Sequence, residues 1–272
     1  MKTWINGRAA ATIDVRDRGL QYGDGLFETM RVRGRVIRLL DYHLQRLSDG
    51  CRRLAIAPPQ LTTLRNELRR AAGQCADAVL KLIITRGCGD RGYRPAGRLR
   101  TIRIMMLFPL SGHAAAALPP VHVRLCTTRL SDNAALAGLK TLNRLDSVLA
   151  RAEWRDARVW EGLMRDCEDN IVCGTMSNLF VRRGTSLMTP RLDRCGIAGV
   201  MRRWVLREAG TLEVDAAERR LGWHDLSRID EAFMTNAVAG IVPVASFVRG
   251  RSRITLSSHV TAERLRKRLE AQ

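Results

Sequence analysis

The sequence predicts a mixed α/β protein of two lobes, α+β in its first part, on three observations. Its 272 residues, 46% of them hydrophobic, suffice for one large core or two modest ones. Short aliphatic runs bounded by Gly and Pro are interspersed with segments whose apolar residues recur at helical spacing. From Pro109 to Pro120 both periodicity and charge disappear, as in a linker. The expected division is a smaller N-terminal lobe over 1–108, a linker over 109–120 and a larger C-terminal lobe over 121–272.

The elements follow in order. Thr3 to Arg8 holds an Asn-Gly pair suited to a tight hairpin turn. Phe27–Val32 and Arg35–Leu39, separated by Arg33-Gly34, predict a second hairpin, and Leu40–Leu54 and Leu61–Ala72 predict helices. Ala78–Thr85 and Thr101–Phe108 are rich in Ile, Val, Leu and Met and predict buried strands. Beyond the linker, Val121–Thr127, Gly162–Met164, Asn178–Arg182, Ser186–Thr189 and Glu231–Asn236 read as strands. Thr141–Arg155, Gly199–Ala209 and Thr261–Leu269 read as helices.

A formal charge of +19 raises nucleic acid or an anionic surface as partner, but the arginines are spread along the chain and no nucleic-acid-binding motif accompanies them. A small anionic substrate and a phosphate-bearing cofactor account for arginines that do more than face solvent. Seven cysteines without a C-x-x-C pair fit reduced thiols rather than a disulfide framework, and five histidines in no metal-like pair offer no zinc site. The first twenty residues lack a signal-peptide apolar core and no run is long enough to span a bilayer, so a soluble cytoplasmic protein without membrane association is expected.

Four of the 46 basic residues are lysines. Arginine stays protonated and cannot serve as an amine nucleophile, so a lysine retained in an arginine-rich chain is a candidate Schiff-base residue. Lys2 is terminal, Lys267 lies in a charged run and Lys81 in an apolar one, which leaves Lys140 in Gly138-Leu-Lys-Thr-Leu-Asn-Arg144. Gly87-Cys-Gly-Asp-Arg-Gly92 matches a dinucleotide-binding pattern, but Tyr93-Arg-Pro-Ala-Gly97 breaks any helix it would open. It reads instead as a loop between strands from which Arg91 and Tyr93 reach a ligand. Gly196-Ile-Ala-Gly-Val-Met-Arg202 precedes a helix, and the exposed amides of such an opening cradle phosphate; Asn236-Ala237 ends a strand and offers further donors.

Taken together, Asp17-Arg-Gly-Leu-Gln-Tyr-Gly-Asp-Gly-Leu-Phe-Glu-Thr29, His43-Leu-Gln-Arg-Leu47, Gly138 to Arg144, Ser177-Asn-Leu-Phe180, Thr189-Pro-Arg-Leu-Asp193 and Gly199-Val-Met-Arg202 resemble the fold type IV pyridoxal-phosphate enzymes. The K-x-L-N-R form and Arg91-Gly-Tyr93 resemble the 4-amino-4-deoxychorismate lyases more than the branched-chain and D-amino-acid aminotransferases of that family. The resemblance implies pyridoxal 5'-phosphate between two lobes, a homodimer, and conversion of 4-amino-4-deoxychorismate, supplied by a synthase, to 4-aminobenzoate and pyruvate for folate. It makes Lys140 the catalytic and cofactor-bearing lysine. Arg46, Val200, Met201, Asn236 and Ala237 would hold the phosphate, and Arg91, Tyr93, Asn143 and Arg144 would orient the substrate. Cys173 departs from the pattern, because many family members carry there a glutamate that keeps the pyridine nitrogen protonated. An aminotransferase, or a catalytically idle anion-binding relative, is the alternative.

Overall fold

The computed structural model describes residues 1–95, 97, 99–110, 118–212 and 214–271. The chain divides into two compact units, Met1–Ala116 with Leu139–Asn143, and Ala117–Gly138 with Arg144–Gln272. Most of the expected linker, residues 111–117, lies outside the described residues.

In the first unit, β1 (Lys2–Ile5) and β2 (Arg8–Ala9) meet through Asn6-Gly7, whose φ angles of 50° and 82° are those the Asn-Gly turn requires. The short helix α1 (Arg18–Tyr22) follows, then β3 (Gly25–Arg33), β4 (Val36–Ile37), α2 (Leu40–Arg53), α3 (Leu61–Ala72), β5 (Asp77–Thr85) and β6 (Ile102–Pro109). Among the described residues these strands form one antiparallel sheet in the order β2-β1-β6-β5-β3-β4. Helix α2 buries His43, Leu44, Leu47, Gly50 and Cys51, and α3 buries Leu64, Leu68, Ala71 and Ala72. Those faces close over Met30, Leu80, Leu82 and Ile84 to make the core.

The second unit runs through β7 (Val121–Arg129), α4 (Leu145–Arg151), β8 (Val159–Arg165), β9 (Ile171–Gly174), β10 (Asn178–Arg183) and β11 (Ser186–Pro190). It continues with α5 (Val200–Ala209), β12 (Asp215–Arg219), β13 (Glu231–Asn236), β14 (Gly240–Arg249), β15 (Ser252–Thr255) and α6 (Val260–Glu270). Its sheet is mixed, in the order β12-β11-β10-β13-β14-β7-β8-β9 with β15 on β14. Phe180 and Phe233, on neighbouring strands, stack 5.2 Å apart at its centre.

The mixed α/β class is as expected, and the differences have physical causes. The helix expected over Thr141–Arg155 is confined to Leu145–Arg151, because the main chain of Lys140 to Leu142 is bonded to β3 instead. That segment therefore belongs to the first unit, although a boundary at 109–120 assigns it to the second lobe. The strand expected over Arg35–Leu39 stops at Ile37, since Leu39 turns left-handed (φ 54°) to open α2. Strand β14, not anticipated from the sequence, contains Pro243 next to an irregularity at Val244 to Ser246.

Helix α6 has no cap from its own N-cap residue, His259; the fully buried carboxylate of Glu231 on β13 accepts from Thr261 N (3.0 Å) and Ala262 N (2.8 Å) instead. Glu231→Ala strands those amides in a dry site, so it is expected to destabilise the protein by about 2–3 kcal/mol. A urea melt would show this as a lower midpoint with an unchanged slope, and an unchanged midpoint would refute the cap.

Candidate active site

The amine of interest is placed by the main chain. Phe27 N donates to Lys140 O (3.0 Å) and Leu142 N to Gly25 O (3.1 Å), with Leu26 bridged to Thr141 between them. The segment is thus pinned beside the start of β3 by an isolated bridge. Lys140 is half-buried, with Nζ 4.1 Å from the centre of the Phe27 ring. An aromatic face beside an amine shields it from water on that side.

One residue along β3, Glu28 is buried and organises α2. Arg46 donates Nε to Glu28 Oε1 (2.8 Å) and a terminal nitrogen to Oε2. His43 Nδ1 lies 2.6 Å from Oε2 and must donate, because an ionised carboxylate only accepts. Residues 43 and 46 share a helix face, which is why the spacing H-x-x-R brings both to one acid. Burial opposes ionisation of Glu28, but Arg46 first, and then His43, hold its carboxyl down to about 2. Burial lowers His43 in turn, so the ring stands neutral at neutral pH.

The second unit carries a separate set of groups. Helix α5 opens at Gly199 with no side-chain cap, so the amides of Val200 and Met201 head an uncapped N-terminus. A Cβ at Gly199 would lie 2.1 Å from Asn178 Oδ1, so no larger residue fits between the helix and β10. Asn178 pairs in register with Thr235, and Thr235 Oγ1 is buried with no hydrogen-bond partner among the described residues. Asn236 Oδ1 accepts from Val238 N (2.9 Å) and Ala239 N (2.7 Å), so this side chain orders its own turn, and Ala237 lies within that turn.

Cys173, at the third position of β9, is buried, and burial, with Glu161 adding to it, pushes its thiol up to about 12 against the opposing pull of Arg144. It is therefore a neutral thiol throughout the working pH range. Glu161 is fully buried and accepts five hydrogen bonds: from Gly162 N (2.9 Å), Thr175 N (3.1 Å), Thr175 Oγ1 (2.6 Å), Met176 N (3.2 Å) and Ser177 Oγ (2.5 Å). It fastens the loop that follows Cys173.

Of the residues singled out in the sequence, Lys140, Arg46, Arg91, Tyr93 and Asn143 fall in the first unit, and Cys173, Arg144, Val200, Met201, Asn236 and Ala237 in the second. Arg91 and Tyr93 are exposed on the loop between β5 and β6, where the Gly87–Gly92 motif was expected to form a loop. Asn143 is exposed, with a long contact of 3.5 Å to Gly23 O. Glu28, Glu161 and Thr235 were given no role from the sequence. A lone acid inside an apolar strand was the available signal for the first two; Thr235 had none.

The amino-transferase class IV family model matches residues 25–247. Aminodeoxychorismate lyase of Vibrio harveyi is 32% identical over 254 residues, covering 92% of this chain and 93% of that one. A putative branched-chain-amino-acid aminotransferase of Methanocaldococcus jannaschii is 34% identical over 261 residues, covering 90% and 87%. The crystal structure of 4-amino-4-deoxychorismate lyase from Pseudomonas aeruginosa superposes with a TM-score of 0.91 at 43% identity, over 99% of this chain and 98% of that one.

Glu28 links this arrangement to pH. Its carboxyl is lowered from 4.5 to about 2, so its stabilisation is present above pH 4.5 and is lost as pH falls through about 2. Glu28→Gln is expected to cost on the order of 3 kcal/mol near neutral pH, a gap that narrows on acidification. Paired denaturant melts across that range would measure it, and a gap independent of pH would show that Glu28 is not held ionised.

Proposed function

The chain belongs to the amino-transferase class IV family, and on that premise we propose that it is a pyridoxal-phosphate-dependent carbon–oxygen lyase. It would convert 4-amino-4-deoxychorismate to 4-aminobenzoate and pyruvate in folate biosynthesis. The observation that carries this reading is the full-length similarity to the Pseudomonas aeruginosa lyase together with a lysine at 140 in a chain that otherwise uses arginine. The same reading makes it a cytoplasmic homodimer acting on a small dianion delivered by an aminodeoxychorismate synthase. Among the described residues no helix is long and apolar enough to cross a membrane.

The residues present fit the cofactor. An uncapped helix N-terminus, a Gly199 position closed to side chains and an orphaned Thr235 hydroxyl suit a phosphate. Within the second unit Val200 and Met201 would donate to it through their amides, with Asn236-Ala237 as a further edge; the role of Arg46 as its cation is what the family resemblance implies. Lys140 would hold the aldehyde carbon. When bound, pyridoxal phosphate links to the substrate amine and accepts the electron pair left by breaking the neighbouring C–H bond.

Lys140 does the proton work. Its amine, when free of the cofactor, would remove the proton from the ring carbon bearing the substrate amine. Loss of that proton would expel the enolpyruvyl oxygen from the adjacent ring carbon and leave the ring aromatic, and Lys140 would return a proton so that the enolpyruvyl group leaves as pyruvate. Arg91, Tyr93, Asn143 and Arg144 would orient the two carboxylates. An aminotransferase is the second reading, favoured by the Methanocaldococcus jannaschii relative. Products separate the two: 4-aminobenzoate with pyruvate for the lyase, a new amino acid with an oxo acid for the transferase.

Lys140→Ala is expected to abolish 4-aminobenzoate formation by at least about a thousandfold, and to remove the visible absorbance that the protein gains with pyridoxal phosphate. Retention of that borohydride-sensitive band in the variant would exclude Lys140 as the attachment point. Cys173→Glu places a carboxylate near Arg144 and is expected to raise side transamination. If transaminase turnover stays flat while the cofactor still binds, the neutral thiol has no part in reaction preference.

A further inference from the structure

Arg18, on α1, is almost fully buried, and a buried guanidinium persists only where its donors are met. Nε donates to Asp24 Oδ2 (2.9 Å), and its two terminal nitrogens donate to Gly92 O (2.8 Å) and Tyr93 O (2.7 Å). All three arms of the fork are therefore used, two of them on the main chain of the loop between β5 and β6. Tyr22, on the same helix, completes the contact: its ring centre lies 4.8 Å from the Arg18 guanidinium and 5.6 Å from that of Tyr93, and its hydroxyl accepts from Gly92 N (3.1 Å).

The clamp is itself braced. Asp24 also accepts from Arg86 (2.7 and 3.1 Å), and Arg86 donates onward to Ala55 O (2.7 Å) and Leu54 O (2.8 Å), just past α2. Asp17 caps α1 through Gly19 N (2.8 Å) and accepts from Thr85 Oγ1 (2.6 Å) at the end of β5. Tyr93, by contrast, is 86% exposed and has little packing of its own. The loop is glycine-rich, so its order at Gly92-Tyr93 depends on Arg18 and Tyr22 rather than on burial of its side chains.

We propose that Arg18 is a positioning residue for the substrate: braced by Asp24, it fixes the Gly92–Tyr93 main chain and so presents Arg91 and Tyr93 ready-ordered to the anionic substrate. This rests on the reading of Arg91 and Tyr93 as substrate contacts. A loop ordered beforehand spares the substrate the ordering cost, which appears in KM rather than in the proton transfers that set kcat. Lysine cannot replace arginine here, because one ammonium cannot span Asp24 and two carbonyls in a planar fork.

The test compares Arg18→Gln, Arg18→Lys, Tyr22→Phe and Arg91→Gln in the cofactor-loaded protein. It follows KM and kcat for 4-amino-4-deoxychorismate, the cofactor absorbance, and trypsin cleavage at Arg91 and Arg94. Arg18→Gln and Arg18→Lys are expected to raise KM about tenfold with kcat changed less than about threefold, an unaltered cofactor band and faster cleavage. Tyr22→Phe, which keeps the ring and loses one bond, is expected to raise KM about threefold and serves should the Arg18 variants not fold. An increase with Arg91→Gln but none with the Arg18 or Tyr22 variants overturns the clamp and leaves the loop as a substrate contact. No increase with any of them overturns the substrate reading of the loop, and the clamp with it. A loss of the cofactor band in Arg18→Gln overturns the positioning role in favour of a general structural one.

Discussion

The hydrogen bond from Phe27 N to Lys140 O, with its companion from Leu142 N to Gly25 O, is the constraint on which the candidate site depends. A lysine side chain has four rotatable carbons and carries no positional information unless its backbone is fixed. Here that backbone is pinned to β3 by an isolated bridge and two main-chain hydrogen bonds, so the amine is tied to the edge of a sheet strand. The same stretch of β3 supplies the Phe27 ring against which the amine rests and the Glu28 carboxylate that anchors Arg46. Three functions are therefore tied to three consecutive positions, Leu26 to Glu28, and slipping the register by one residue would exchange the buried and exposed faces of the strand.

Acidic residues act as organisers in this chain because they are scarce. With 27 acids against 46 bases, a buried carboxylate has no shortage of donors, and each one observed gathers several. Glu28 draws in Arg46 and His43, Asp24 draws in Arg18 and Arg86, Glu161 fastens the loop after Cys173, and Glu231 caps α6. Removing one acid leaves several donors unsatisfied at once, so the cost exceeds that of an exposed ion pair of the kind seen at Arg158 and Asp156. The positive charge left over lies mainly at the surface, where it raises the local concentration of an anionic substrate without specifying it.

How much of this the sequence reveals depends on whether a feature is local. Helices α2, α3 and α5 and the strands of the first unit are legible because their apolar spacing or composition is local, and Gly199 sits where a glycine before a helix was expected. Lys140 stands out in the sequence as a candidate for a chemical reason, the impossibility of replacing an amine by a guanidinium. Its conformation is not legible: the residues after it lead into a helix, and only the bonds of Lys140 and Leu142 to Phe27 and Gly25, over a hundred residues away, keep them out of it. Helix α1 is five residues long with a glycine in it, too short for periodicity to register. Glu161 acquires its meaning from the loop that follows β9, and Thr235 from its register with Asn178 on β10, which no spacing rule reaches.

Cys173 brings chemistry and packing together. A carboxylate at that position would add a charge to a pocket of the second unit that already holds Glu161 and Arg144, whereas a thiol held near 12 adds none. For a reversible amino transfer, the electron pair released by C–H cleavage must be stored and returned, and a protonated ring nitrogen paired with a carboxylate makes that storage effective. In the proposed lyase reaction the pair is discharged at once into a leaving oxygen, and the product ring gains aromaticity. Storage then matters less than departure, and a neutral residue costs the forward reaction little while handicapping the competing transfer. Under the proposed function, a neutral thiol at this position would weigh more on reversible transfer than on elimination.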